Sequence, residues 1–435
     1  MKLSKYNYYY EKEEESIICM NLISKIMFGL EREKYELIKN NSNNIDNLRL
    51  KNPNLYSALI KLGIIIEEDF DEISFLTTEH RRQIYSSNLY RLTIVPTLEC
   101  NFNCWYCYEE KPKGQMNTII VRNIEKLVRK TLQNDCIKHF QLDWFGGEPL
   151  IAFDNTLYPL SIKIKNICAK NNIEFSSSIT TNGALLTDEI IHKFKKINLN
   201  SFQITLDGNE EYHNKVKKGN SSDNVYKITV FNILKLIDIL DNPNILLRIN
   251  FTPQNLKKIN QIIHDIPSKY RKKIEVSLQQ VWQTQKENSS LELSPCNNDF
   301  LDAGFIAPLY KIDGKFYKCY ADLYHQSVID LRGNVFKCTA RDFINHTPDG
   351  VLNNDGTIRW NSIFYNRMSR TTIENEFCLQ CTLLPACWGP CSQKIIETNI
   401  ADFNKICNKS GIVNTLTTLM DNFHTNKIIN KQNLK

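Results

Sequence analysis

The chain has 435 residues, of which 42% are hydrophobic and 23% charged, ordinary globular usage that excludes a wholly disordered or collagen-like polymer. Its formal net charge of +6 is a mild basic excess, too dilute for a dedicated nucleic-acid binder. Even the apolar run LIKLGIIIEED is broken by Lys61 and Glu67, far short of the roughly 20 residues that span a bilayer, and the opening MKLSKYNYYYEKEEE lacks the apolar core of a secretory signal. A cytoplasmic protein with neither membrane nor nucleic acid as partner is expected.

This length calls for about two to four domains. Residues 1–88 form a first unit: runs at 6–10 and 16–20 read as strands, and 31–40 and 53–62 as helices, the second stopped by Gly63. IIIEEDFDEISFL then reads as a wing-like hairpin around Asp69 and Asp71. Across 89–283 the pattern alternates. Strands are predicted at 91–97, 139–145, 174–180, 201–206, 244–252 and 273–281, and helices between them include 117–132, with Ile119, Val121, Ile124, Leu127 and Val128, and 224–239. Six βα units in series imply an α/β fold whose parallel strands close, or nearly close, as a partial barrel. From 284 to 410 the alternation gives way to Cys, Gly, Asp and turn residues with short strands such as KFYKCY and GNVFKC, a composition that needs metal centres as staples. The tail, 411–435, starts as a helix, IVNTLTTLMDNF, and carries no evident chemistry.

The 14 cysteines are unevenly placed, three between 100 and 107 and four between 378 and 391. Without an oxidising compartment to favour disulfides, such clustering points to metal ligands. Cys100, Cys104 and Cys107 stand as C-x3-C-x2-C directly after the first barrel strand, a soft pocket suited to iron and sulfide. Three thiolates on a four-iron cubane leave one iron open to another ligand; a zinc loop lacking its fourth ligand is the alternative. WFGGEPL sets Gly146, Gly147 and Glu148 at the end of the second strand, where glycines admit close backbone approach and a carboxylate complements an ammonium.

Together these motifs resemble the radical S-adenosylmethionine (SAM) superfamily. The resemblance implies a [4Fe-4S] cluster on the three cysteines with SAM on its open iron, Tyr106 near the adenine, and Gly146, Gly147 and Glu148 at the methionine amino group. TTNG (Thr180 to Gly183) and ITLDG (Ile204 to Gly208) end strands three and four, and Thr205 is the candidate for the ribose. Arg248 and Asn250 on strand five are candidates for the SAM carboxylate or the substrate, with hydrogen bonding inside the barrel as the alternative. The implied chemistry is one-electron cleavage of SAM to a 5′-deoxyadenosyl radical that abstracts hydrogen from a substrate.

Downstream, Cys319, Gly333 and Cys338 are followed by C-x2-C-x5-C-x3-C at Cys378, Cys381, Cys387 and Cys391, and then by Cys407. Taken alone, the two close pairs could form a zinc ribbon. In order and spacing the set resembles the SPASM domain of radical SAM enzymes acting on peptides. That likeness implies auxiliary [4Fe-4S] cluster I on Cys319, Cys338 and Cys391, open at its fourth position with Cys296 as a free thiol, and cluster II on Cys378, Cys381, Cys387 and Cys407. Cys19, Cys136 and Cys168 are expected to be small buried residues.

The whole architecture would then be an N-terminal, winged-helix-like α+β domain for leader-peptide recognition (1–88), a partial (β/α)6 radical SAM barrel (89–283), a SPASM domain (284–410) and a tail (411–435). The resemblance implies a maturase that crosslinks a ribosomally synthesised precursor peptide, supplied with electrons by a flavodoxin or ferredoxin. In the related anaerobic sulfatase maturases an aspartate follows the second SPASM cysteine, whereas here Thr339 follows Cys338, with Asp342 nearby, which leaves formylglycine formation as the runner-up activity; the alternative from another class is a non-catalytic iron–sulfur or zinc protein. The Lys-rich stretches KVKKG and KYRKK are expected to be solvated faces, or docking sites for an acidic electron donor.

Overall fold

The structure is a computed structural model; it describes residues 1–13, 16–86, 88–217, 224–284, 294–306, 315–369, 373, 375–398 and 403–432. The chain divides into two compact units, one of residues 1–85, 309–323 and 366–435, the other of 86–308 and 324–365.

In the first unit, β1 (Lys2–Leu3) and β5 (Ile65–Ile66) form an antiparallel pair, and β2 (Asn7–Glu13), β3 (Ser16–Asn21) and β4 (Met27–Glu31) form an antiparallel sheet in the order 2-3-4. The central strand reads as a continuous apolar run because both its faces are covered. Ile17 and Cys19 join Ile38, Leu48, Tyr56 and Leu59 in one core, while Ile18 and Met20 join Leu76, Trp388, Leu416 and Met420 in another. The expected hairpin around Asp69 and Asp71 does not form. Ile65 and Ile66 pair with β1 instead, and Glu72–Ile84 is a helix. Asp71 starts that helix by accepting from the Ile73 and Ser74 amides at 3.0 and 3.1 Å, and Leu76, His80 and Ile84 recur at helical spacing on its buried face. The tail helix, Lys409–Gln432, buries Leu416 and Met420 completely.

The second unit holds β6 (Leu89–Ile94), β7 (His139–Trp144), β8 (Glu174–Thr181), β9 (Leu199–Leu206), β10 (Asn244–Phe251) and β11 (Ile274–Gln280), each parallel to its neighbour in chain order. Beyond β6 the sheet continues through β12 (Gln326–Ile329), parallel to β6, and the antiparallel β13 (Asn334–Phe336), β14 (Gly350–Leu352) and β15 (Ile358–Trp360). The cysteine-rich stretch thus supplies four strands to the barrel's sheet.

Alternation within the strands decides where polar chemistry is placed. Leu92 and Ile94, Phe140 and Leu142, Phe202 and Ile204, and Leu247 and Ile249 join a core with Ile124, Val128, Ile164, Phe194 and Ile233 of the flanking helices. The intervening positions, Arg91, Asp143, Ser178, Gln203, Thr205, Arg248 and Asn250, carry polar groups on the other face. Asp143 there accepts from Arg91 and Ser178, each at 2.5 Å.

Two expectations for single residues are corrected. Cys136 is exposed, not buried: it sits in the turn after the helix Thr118–Thr131, its amide donating to Asn134 at 3.0 Å. Cys19 and Cys168 are buried, and burial pushes both thiols up to about 12. Lys217, read as part of a solvated basic run, is buried and paired with Asp207.

Candidate functional site

The strand ends build the site. After β6 the chain runs through Pro96 and Thr97 into the loop carrying Cys100, Cys104 and Cys107, and this loop is clamped from three sides.

The first clamp is the Gly146–Gly147 pair after β7. A Cβ on Gly146, whose φ is +126°, would meet Thr97 O at 2.4 Å, and one on Gly147 would meet Leu98 O and Glu99 O at 2.3 Å. Only glycine lets the two loops approach this closely, and the Glu148 amide donates to Glu99 O at 2.8 Å. Glu148 itself is wholly buried. Its carboxylate accepts from the Leu150 amide at 3.1 Å, the Thr181 hydroxyl at 2.8 Å and the Asn182 amide at 2.8 Å. Burial raises its pKa, and these donors oppose the rise. In this arrangement the visible work of Glu148 is to tie the end of β7 to the end of β8.

The second clamp comes from that β8 end. Asn182 Nδ2 donates to Asn101 Oδ1 at 2.8 Å and lies 3.9 Å from Cys100 Sγ. Sequence reasoning placed TTNG at a strand end but missed Thr181 and Asn182 as braces of the cysteine loop.

The third clamp is Asp207, just beyond β9. It is buried and accepts from the Tyr106 hydroxyl and, at 3.3 Å, from Asn250 Nδ2, which also donates to Tyr106 Oη at 3.0 Å. Arg248 Nε donates to Asn250 Oδ1 at 3.0 Å, and Thr205 faces Arg248 in the strand register. The structure therefore joins Tyr106, Asn250 and Arg248 in one network and sets Thr205 beside it, while Glu148 belongs to the β7–β8 brace. Asp207 Oδ2 lies 3.5 Å from Lys217 Nζ and 3.7 Å from His213 Nδ1. The Asp207 amide donates to His213 Nδ1 at 3.1 Å, so that nitrogen is unprotonated, and burial holds the imidazole down at about 4. Asp207, His213 and Lys217 were missed; the carboxylate–histidine–lysine spacing after a strand end was the signal available.

None of the three loop cysteines is in a disulfide; Cys100 and Cys104 are half-buried and Cys107 is exposed. Burial pushes Cys100 up to about 11 against the opposing pull of Lys111 and Lys217. Cys104 and Cys107 line a cavity of about 700 Å³ with Asn103, Glu109, Lys111 and Asn345. Three soft donors on one short loop beside a cavity of this size fit an iron–sulfur cluster. Glu109 is buried there, and burial followed by Asp342 raises it to about 8. Asp342 accepts from the Glu110, Ile344 and Asn345 amides at 3.1 to 3.3 Å, which keeps its own pKa low despite partial burial.

In the first unit, Cys378 lies in the helix Glu376–Gln380, Cys381 caps its end, and Cys387 ends the helix Leu384–Cys387. Burial, and then Cys387, Cys407 and Cys381, raise Cys378 to about 12, so these four thiols act on one another electrostatically. Among the described residues no three His, Cys, Asp or Glu side chains surround a single-ion site. Cys319 and Cys391 lie in this unit and Cys338 in the other. Cys296 is half-buried on the helix Ser294–Asp302 against the barrel core.

Comparison with known proteins agrees with this architecture. Over 89% of its length the chain is 24% identical to the radical SAM cyclopropyl synthase TigE of Paramaledivibacter caminithermalis, covering 89% of that protein. Among solved structures it resembles native anSMEcpe with bound AdoMet (TM-score 0.55, 16% identity, 80% of this chain and 100% of that one). It also resembles Streptococcus suis SuiB bound to precursor peptide SuiA (TM-score 0.52, 15% identity, 92% of this chain and 97% of that one). Among the described residues no helix is long and apolar enough to cross a membrane. The family model described as the Radical SAM superfamily matches from the end of β6 through β10, and residues 94–265 are a radical SAM domain.

Proposed function

We propose that the chain is a cytoplasmic peptide maturase that forms a new bond in a ribosomally synthesised precursor, carbon–carbon or thioether. The observation that carries this reading is the convergence of the three-thiol loop, the Gly146–Glu148 brace and the Tyr106–Asp207–Asn250 network at the C-terminal ends of β6 to β10, beside a polar strand face. Cys100, Cys104 and Cys107 would hold a [4Fe-4S] cluster; with SAM bound, that group supplies one-electron cleavage and a hydrogen-abstracting radical. Tyr106, Gly146, Gly147, Glu148, Thr205, Arg248 and Asn250 would shape the SAM site, Glu148 through its brace and Arg248 and Asn250 by presenting donors. Likeness over most of the chain to a protein named as a cyclopropyl synthase favours carbon–carbon bond formation.

In this reading Cys378, Cys381, Cys387 and Cys407 hold auxiliary cluster II, and Cys319, Cys338 and Cys391 hold cluster I with one position free for a substrate thiolate. Residues 1–88 are the recognition module, 89–283 the barrel and 284–410 the SPASM module, with a flavodoxin or ferredoxin as electron donor. Formylglycine formation is the weaker alternative, because Asp342 is engaged as a turn cap rather than free as a base.

Anaerobic reconstitution should give about twelve irons per chain, four per cubane. With reductant, SAM and the precursor, the peptide should lose two hydrogens in mass while 5′-deoxyadenosine accumulates. Four irons with stoichiometric zinc would overturn the auxiliary clusters, and an unchanged peptide mass with inverted stereochemistry would overturn bond formation.

A further inference from the structure

Lys217 is a buried cation of the barrel unit beside the cysteine loop. Only 6% of its side chain is exposed; its ammonium lies 3.5 Å from Asp207 Oδ2 and 6.0 Å from the centre of the Phe102 ring. Phe102 stands between Cys100 and Cys104, and its carbonyl accepts from the more open Lys111 at 2.6 Å. A buried charge is kept only where a partner compensates its desolvation. Asp207 is that partner, and it is held in turn by Tyr106 and Asn250, so the ammonium is fixed in place. Its position near the thiols also shows in the pull of Cys104 and Cys100 on the Lys217 ammonium and in that of Lys217 on Cys100.

We propose that the Asp207–Lys217 pair sets the reduction potential of the cluster held by Cys100, Cys104 and Cys107. The inference rests on the cluster reading of those cysteines. One-electron reduction by an external low-potential donor adds one negative charge to the cluster and its thiolates. A fixed ammonium at low local dielectric stabilises that added charge, whereas the adjacent carboxylate opposes it. Lys217 and Asp207 are therefore positioning residues with opposite signs, one raising and one lowering the same potential.

The test is an EPR-monitored redox titration of the reconstituted full chain, in which the first cluster is recognised by the change of its signal on adding SAM, with iron counted per chain in every sample. Lys217→Met should shift its midpoint negative, on the order of tenfold in the reduction equilibrium, or about 59 mV for one electron. Asp207→Asn, which still accepts from Tyr106, should shift it positive, and Lys217→Arg should stay near the parent value. An unmoved midpoint in Lys217→Met at full iron content overturns the proposal. If that variant loses its cluster, a negative or absent shift in Asp207→Asn overturns it instead. A parent protein with no SAM-sensitive signal overturns the cluster reading, and this inference with it.

Discussion

At the scale of single residues the tightest constraint lies at Gly147, where a methyl group would stand 2.3 Å from two backbone oxygens of the cysteine loop. Gly147→Ala should displace that loop, destabilise the barrel by about 1–3 kcal/mol as overpacking does, and remove about four irons per chain; denaturant melts with iron analysis check both. His213 gives a pH signature. Its folded pKa of about 4 lies below the unfolded 6.5, so the unfolded chain takes up the proton more readily, and stability present above pH 6.5 is lost as pH falls toward 4. Between pH 7 and pH 5 this costs about 2 kcal/mol. His213→Gln, whose side-chain oxygen still accepts from the Asp207 amide, should flatten that part of the profile in urea melts. The cysteines were legible in the sequence because their chemistry is local and needs no fold to announce it. Lys217 was not, since a lysine in a basic run looks solvated until the fold sets a buried aspartate 3.5 Å away.

At the scale of elements, the six parallel strands were legible to within three residues because each is a short β-branched or aromatic run, and several are followed by a helix with its own start signal. Asn117 is such a signal, accepting from the Ile119 and Ile120 amides at 3.0 Å each. Asn117→Ala should cost about 1 kcal/mol, read as a lower denaturation midpoint with the iron content unchanged. The segment around Asp71 was misread for a physical reason: over a few residues IIIEEDF alternates like a strand, and only the recurrence of Leu76, His80 and Ile84 beyond it reveals the helix. β4 was missed because MFGLE is short and holds a glycine, and it is β3 that holds it in register.

At the scale of the whole molecule, the order of motifs along the chain differs from the grouping of its packed cores, and no local signal could have shown this. Tyr6, Ile18, Met20 and Leu76 share one buried cluster with Cys378, Leu384, Trp388 and Leu416. Deleting residues 1–88 would therefore do more than remove the proposed recognition module. If the proposed auxiliary cluster II is there, it should also strip iron from the set at Cys378 to Cys407, visible as about four fewer irons per chain, while the SAM-sensitive signal of the barrel persists. Substitutions on β2 and β4, the outer strands of their sheet, are the cleaner probe of the proposed peptide binding. The same interleaving sets a timetable for biosynthesis. Residues 1–85 leave the ribosome before 366–435 but share a unit with them, and at about 5–20 residues per second the later stretch arrives tens of seconds afterwards. Throughout that interval the flank of β3 formed by Ile18 and Met20 has, among the buried residues of its cluster, only Tyr6, Leu22 and Leu76 as native cover, so this early-made segment finishes folding only after 366–435 have followed it.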